Sequence, residues 1–307
     1  MPGPEVRAEP VVVGDGIAIV EPEAGRVVYL AYGEGQAGAL GSAVILASSR
    51  GISDVAVLYD DPGAAAAATR RATALRPAPT VRLVQGRDLT QLEPAPLPET
   101  QPPIEPPDGF IDLCGWATVD PILEDGIWRG EILGLEVVRA GDTGIEIGVG
   151  RLDREAGLIL HADRPPVENL RSVAETVRGV RRRGAGAHPL ATLVRERWLR
   201  HDLISDPSSL GLTGLAAVDP AEPPSGLRDG VPAAAVGIDP GGDSVLVVCS
   251  VGVDPDLVPS AADLVLRERP DRLIVVLPIR DVLPTVVAAV ERIALTSTVL
   301  GVTGGWS

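Results

Sequence analysis

The sequence predicts a mixed α/β protein built in two parts. Short aliphatic strands alternate with Ala- and Leu-rich helices near both ends, seven prolines crowd residues 93–108, and the 45% hydrophobic content is almost wholly aliphatic. With one Phe, one Met and three Tyr, the core must pack Val, Leu, Ile and Ala, which suits buried strands. At about 100–200 residues per domain, 307 residues lead to two domains. The expected parts are a small α/β domain over 1–92, a Pro-rich linker over 93–108 and a larger mixed-sheet domain with helical insertions over 109–307.

Val11–Val13, Ile17–Val20 and Val27–Tyr32 read as strands between Gly and acidic turns. Gln36 to Arg50 reads as a helix closed by Gly51, and Val55–Tyr59 as an apolar strand. Pro62 opens a helix running to Leu75, and Val81–Val84 returns to strand. Past the prolines, Phe110–Trp116 predicts a short helix. Gly130–Arg139 and Gly144–Val149 predict two strands of a hairpin turning at Ala140-Gly141-Asp142-Thr143. Helices are expected near Arg154–His161, Val167–Arg183 and Pro189–Ile204, then a long Pro/Gly-rich loop over Asp206–Pro232. The end alternates again: strand Val245–Cys249, helix Ser260–Arg269, strand Leu273–Leu277, helix Val282–Ile293, strand Thr298–Val302.

All 27 basic residues are Arg, as a GC-rich coding sequence would produce. Lysine-free chemistry excludes the usual Walker phosphate loop and the pyridoxal Schiff base. A net charge of −15 repels nucleic acid and anionic membranes unless a local basic patch intervenes. Cys114 and Cys249 are too few for a disulfide framework or a zinc site. The start lacks the basic and apolar regions of a signal peptide, and no apolar run reaches about 18 residues, so a cytoplasmic location without a membrane partner is expected.

Three constellations carry chemistry. Gly33-Glu34-Gly35-Gln36-Ala37-Gly38 fits G-x-G-x-x-G between a strand and a helix, and Asp60 ends the next strand. Gly33, Gly35 and Gly38 would admit a pyrophosphate and Asp60 would bind ribose, which makes an NAD(P)- or flavin-binding oxidoreductase one alternative. Glu34, where the phosphates would lie, and the structural role of a plain turn weigh against it. The second constellation is Glu131, Glu136 and Glu146 on strands expected to pair. Acids so placed can hold Mg²⁺, which activates water and stabilises phosphodiester charge. The third is the Arg-rich stretch from Arg171 to Arg200. Arg178, Arg181, Arg182, Arg183 and Arg197 could grip phosphates and Trp198 could stack on a base. A solvated helix face explains the same pattern. His161 with Asp163 offers two metal ligands, too few for a site.

From Phe110 to Asp281 the pattern resembles the PD-(D/E)xK nuclease superfamily. Glu131 or Glu136 resembles its first acid, Glu146-Ile147-Gly148 its Glu-x-Lys triplet, and Val245–Cys249 through Leu277 its closing strand–helix–strand. The resemblance implies a Mg²⁺-dependent nuclease-like protein that binds or processes nucleic acid, with Glu131 and Glu146 on the metal. Gly148 stands where that family has its lysine, so the site is either degenerate or relies on metal alone, with Arg151 or Arg154 as a substitute cation. A non-catalytic interaction protein is the third reading, and self-association as a homo-oligomer stays open.

Overall fold

The computed structural model describes residues 9–14, 16–33, 36–99, 101–102, 104–141, 144–160, 163–182 and 184–306, with 9 and 158–160 as backbone alone. The architecture is mixed α+β, 34% helix and 30% strand, with eight helices and three sheets among the described residues. No helix is long and apolar enough to cross a membrane among those residues.

The six-stranded sheet takes its strands in chain order: β1 (Glu9–Val13), β2 (Gly16–Glu21), β3 (Arg26–Ala31), β4 (Asp54–Tyr59), β5 (Thr80–Gln85) and β6 (Asp88–Thr90). Strands β3, β4 and β5 are parallel, because α1 (Ala39–Ser49) and α2 (Pro62–Ala72) supply the crossovers. Asp61 caps α2 by accepting the Ala64 N–H, with Pro62 at its first turn. The four-stranded sheet is an antiparallel meander in the order β10-β9-β8-β7, with β7 at Asp120–Glu124, β8 at Ile127–Ile132, β9 at Leu135–Gly141 and β10 at Gly144–Ile147. The five-stranded sheet runs β11 (Gly214–Val218), β12 (Ala233–Ile238), β13 (Ser244–Cys249), β14 (Arg272–Pro278), β15 (Ser297–Val302).

The chain divides into two compact units. The first comprises Met1–Pro98, Asp243–Val247 and Gly252–Gly301. Thus residues 252–301, expected with the second domain, pack with the first. The reason is tertiary: α7 (Leu257–Glu268) and α8 (Pro284–Val290) lie against α1, and α7 also meets α2. Gly41 permits this approach, since a Cβ there would meet the Pro255 carbonyl at 1.6 Å. Asp263, 3% exposed, accepts from Arg70 at 2.8 and 2.9 Å and from Arg71 at 2.7 Å. Part of the expected linker is fixed too: Arg70 donates to the Pro96 carbonyl and Ala95 to the Ala66 carbonyl.

The second unit comprises Glu99–Gly242, Val248–Val251 and Val302–Ser307. Its helices are α3 (Phe110–Ala117), α4 (Gly150–Leu160), α5 (Pro166–Val180) and α6 (Arg195–Ser205). Its meander sheet has two unlike faces. One buries Leu135, Val137 and Val138 against Leu113, Leu170, Ala174 and Val177 of α3 and α5. The other carries charge. The expected single strand over 130–139 is in fact two, β8 and β9, joined at Leu133-Gly134. Both residues have positive φ, 50° and 75°, the geometry of a two-residue hairpin whose twist matches its strands. Strands β7, β11 and β12 and the break between Thr192 and Arg195 were not anticipated, and the expected loop over 206–232 contains β11.

Candidate functional site

The glycine turn is only partly described, because Glu34 and Gly35 lie outside the described residues. Gly33 has φ 74°, and Gln36 bridges the turn, donating to the Gly33 carbonyl at 2.8 Å and to Asp60 at 2.6 Å. Asp60 therefore braces the loop that would hold a pyrophosphate. A Cβ on Gly38 would sit 3.2 Å from Asp256, so a further carboxylate borders the helix start.

The Arg-rich stretch is split: Arg171 and Arg182 are exposed, Arg178 and Arg195 half-buried, and Arg181, Arg197 and Arg200 buried. Arg171 donates to the Trp116 carbonyl, Arg178 to those of Ala117 and Thr118, and Arg182 to that of Gly179. Arg183 and His161 lie outside the described residues. Arg181 is fully buried, bonded to the Leu190 and Leu193 carbonyls and seated 4.7 Å over the Trp198 ring. Trp198 is 3% exposed, so the face expected to stack on a base already packs on Arg181.

The three expected carboxylates do come close, but around guanidinium groups. Glu131 and Glu136 are direct cross-strand partners, as are Arg129 and Arg139. Residues 136 and 139 would ordinarily face opposite sides of a strand. Here Gly130 pairs with Val138 and Glu131 with Glu136, so Val137 is an extra residue and the register shifts. This bulge puts all four charged side chains on one face, and β10 adds Glu146 opposite Arg139. Glu136 is met by Arg154 at 2.7 Å, Arg139 at 3.1 Å and Arg129 at 3.4 Å, and Glu146 by Arg154 at 3.2 Å.

Helix α6 supplies the next layer. Gly134 lets it approach, since a Cβ there would lie 2.4 Å from the Arg197 backbone. Arg197 donates to Glu131 at 2.9 Å and to Glu124, the last residue of β7; Arg200 donates to Glu124 at 3.0 Å. Burial pushes the Glu124 carboxyl up, but Arg200, Arg197 and Arg129 more than offset it and hold it below the usual value. Burial of Glu131 wins over Arg197 and Arg200, and its carboxyl is raised. Burial lowers the Arg197 guanidinium, yet Glu124 and Glu131 raise it further, so it stays charged. Among the described residues no group of three or more His, Cys, Asp or Glu could hold a metal ion.

Over this layer opens a cavity of about 590 Å³, whose walls lie wholly within the second unit. Arg129, Arg139, Arg151, Arg154, Arg197 and Arg228 line it, against two carboxylates, Glu136 and Asp229. Val194, Leu227, Pro224, Ser225 and glycines 134, 150 and 226 complete the wall, with no aromatic side chain among the described lining residues. Of the lining residues, Glu136, Arg151, Arg154 and Arg197 were candidates from the sequence, whereas Arg129, Arg139 and Arg228, and Glu124 behind them, were not. The available signal was Arg129-x-Glu131 followed by Glu136-x-x-Arg139: both charge signs on a hairpin whose other residues are aliphatic. No family model, curated protein or solved structure matches this chain.

Proposed function

We propose that the chain is a binding protein for an anionic ligand, held in the arginine-lined cavity of the second unit. One observation carries the reading: six guanidinium groups against two carboxylates converge on one cavity of a chain whose net charge is −15. Positive potential concentrated in a cleft raises the local concentration of anions, and guanidinium forks match phosphate and carboxylate oxygens bidentately. The volume falls within the usual range for small-molecule sites, about 300–1,000 Å³. The carboxylates serve as internal counter-ions that keep a buried cationic cluster folded when no ligand is present.

A thermal-shift panel at constant ionic strength tests this. An anion that occupies the site at 100 times its Kd stabilises the fold by about 2.7 kcal/mol. Phosphate-type anions should raise the Tm, and Arg139→Ala should abolish the rise. A panel in which no anion shifts the Tm sinks the reading. The Mg²⁺-dependent nuclease reading requires Mg²⁺ alone to raise the Tm and Glu146→Ala to remove that rise, so the same panel separates the two.

A further inference from the structure

Building on that cavity as an anion site, we infer that its ligand carries two or more adjacent phosphate groups and that Glu136 holds their place in the free protein. The six cavity arginines are not equivalent. Arg129 and Arg197 have their forks engaged by Glu124, Glu131 and Glu136. Arg139 touches Glu136 through two nitrogens, and Arg154 touches Glu136 with one nitrogen and Glu146 with another, leaving each with one terminal nitrogen uncommitted. Arg151 has one exposed contact, to Glu155 at 3.6 Å, and Arg228 makes no ion pair among the described residues. Four guanidiniums with donors to spare therefore border the cavity.

Those four come from three places: Arg139 from β9, Arg151 and Arg154 from the first turns of α4, and Arg228 from the segment before β12. A planar carboxylate offers two oxygens in one plane, which suits a single fork. A tetrahedral phosphate offers oxygens in several directions and bridges forks that are not coplanar. Four guanidiniums with spare donors on three separate segments offer more N–H groups, in more directions, than one phosphate takes up, so two neighbouring phosphates engage them better than one does. Gly150, at the start of α4, lies in the wall, and the Val149 N–H beside it is already taken up by the Asp153 carboxylate. The absence of aromatic lining residues removes the stacking by which single-stranded nucleic acid is usually gripped. Glu136, met by three guanidiniums, already occupies the environment that a phosphate would have.

Isothermal titration of the full chain, at matched ionic strength, compares pyrophosphate, tripolyphosphate, ADP, orthophosphate, citrate and a single-stranded oligonucleotide. Pyrophosphate and tripolyphosphate should bind at least tenfold more tightly than orthophosphate or citrate. ADP, which also carries two adjacent phosphates, should bind at least tenfold more tightly than orthophosphate, and ADP binding no more tightly than orthophosphate overturns the inference. The double variant R151A/R228A, changed only at exposed side chains, should keep the wild-type Tm without ligand and lose tenfold or more in pyrophosphate affinity. E136Q should lower the ligand-free Tm yet gain affinity, which a purely structural Glu136 would not. Citrate binding as tightly as pyrophosphate overturns the phosphate inference and leaves the anion site standing. No binding by any anion overturns both. Unchanged affinity in R151A/R228A, or preference for the oligonucleotide, overturns the inference as well.

Discussion

Glu124 and Glu131 are both about 1% exposed, and both face Arg197 and Arg200, yet they should respond unequally to neutralisation and oppositely to pH. Glu124 is contacted by three guanidiniums, its carboxyl held below the ordinary value of 4.5. Its stabilising contribution is fully present above that ordinary value and is lost as pH falls through the depressed folded-state value. Replacing it with Gln keeps the shape but leaves the buried Arg200 without its main counter-charge. Removing one partner of a buried ion pair costs about 3–5 kcal/mol. Gln retains some accepting capacity, so E124Q should cost about 3 kcal/mol at pH 7, or about 6–12 °C in Tm for a unit of this size. Glu131 is the reverse. Its folded-state carboxyl is raised by burial, so its contribution is fully present below the ordinary value and declines as pH rises through the folded one. A permanently neutral side chain there forfeits less, and E131Q should cost less than E124Q at pH 7. Urea unfolding of the wild type and both variants from pH 4 to pH 8 measures this. The E124Q deficit should shrink in acid. If E131Q costs as much as E124Q at pH 7, or if the E124Q deficit grows toward pH 4, the charge assignment is wrong.

Gly134→Ala combines a positive φ of 75° with a Cβ 2.4 Å from the Arg197 backbone, so it should cost at least about 3 kcal/mol in urea unfolding and abolish anion binding by displacing α6. Asp263→Asn should destabilise the first unit by about 3–5 kcal/mol, because Arg70 and Arg71 would remain buried without their shared carboxylate; calorimetry reads the loss. Burial pushes the Cys114 thiol up to about 11 and the Cys249 thiol up to about 12. Both should therefore resist alkylation at pH 8 in the folded chain and react fully in urea, a difference that mass spectrometry counts directly.

Elements whose signal is local were legible from sequence. The strand over Val55–Tyr59 and the helix opened by Pro62 lie where aliphatic runs and capping chemistry put them. The hairpin at Leu133-Gly134 was not, because Leu is a poor marker for a residue with φ 50°. Reading 130–139 as one strand put Glu131 and Glu136 five residues apart on opposite faces, whereas the turn makes them direct neighbours. The membership of residues 252–301 in the first unit was invisible for another reason: it depends on helix contacts, such as Arg70 with Asp263, that join positions 193 apart in the chain.

The arginines show most clearly where sequence runs out. Exposed and buried arginines carry the same letter, and charge-rich helices are usually solvated. What buries Arg197 and Arg200 is the presence of Glu124 and Glu131, which lie 66–76 residues away on strands that only the folded sheet aligns. The bulge at Val137 then decides the chemistry. Without the extra residue Arg139 would turn to the aliphatic face, where an unpaired charge is prohibitively costly. With it, Arg139 joins Arg129 and Glu136 on the charged face and points the sheet's cationic side at the cavity. The carboxylates that first suggested a metal are thereby surrounded by guanidiniums, and it is those guanidiniums, together with Glu136, that line the cavity.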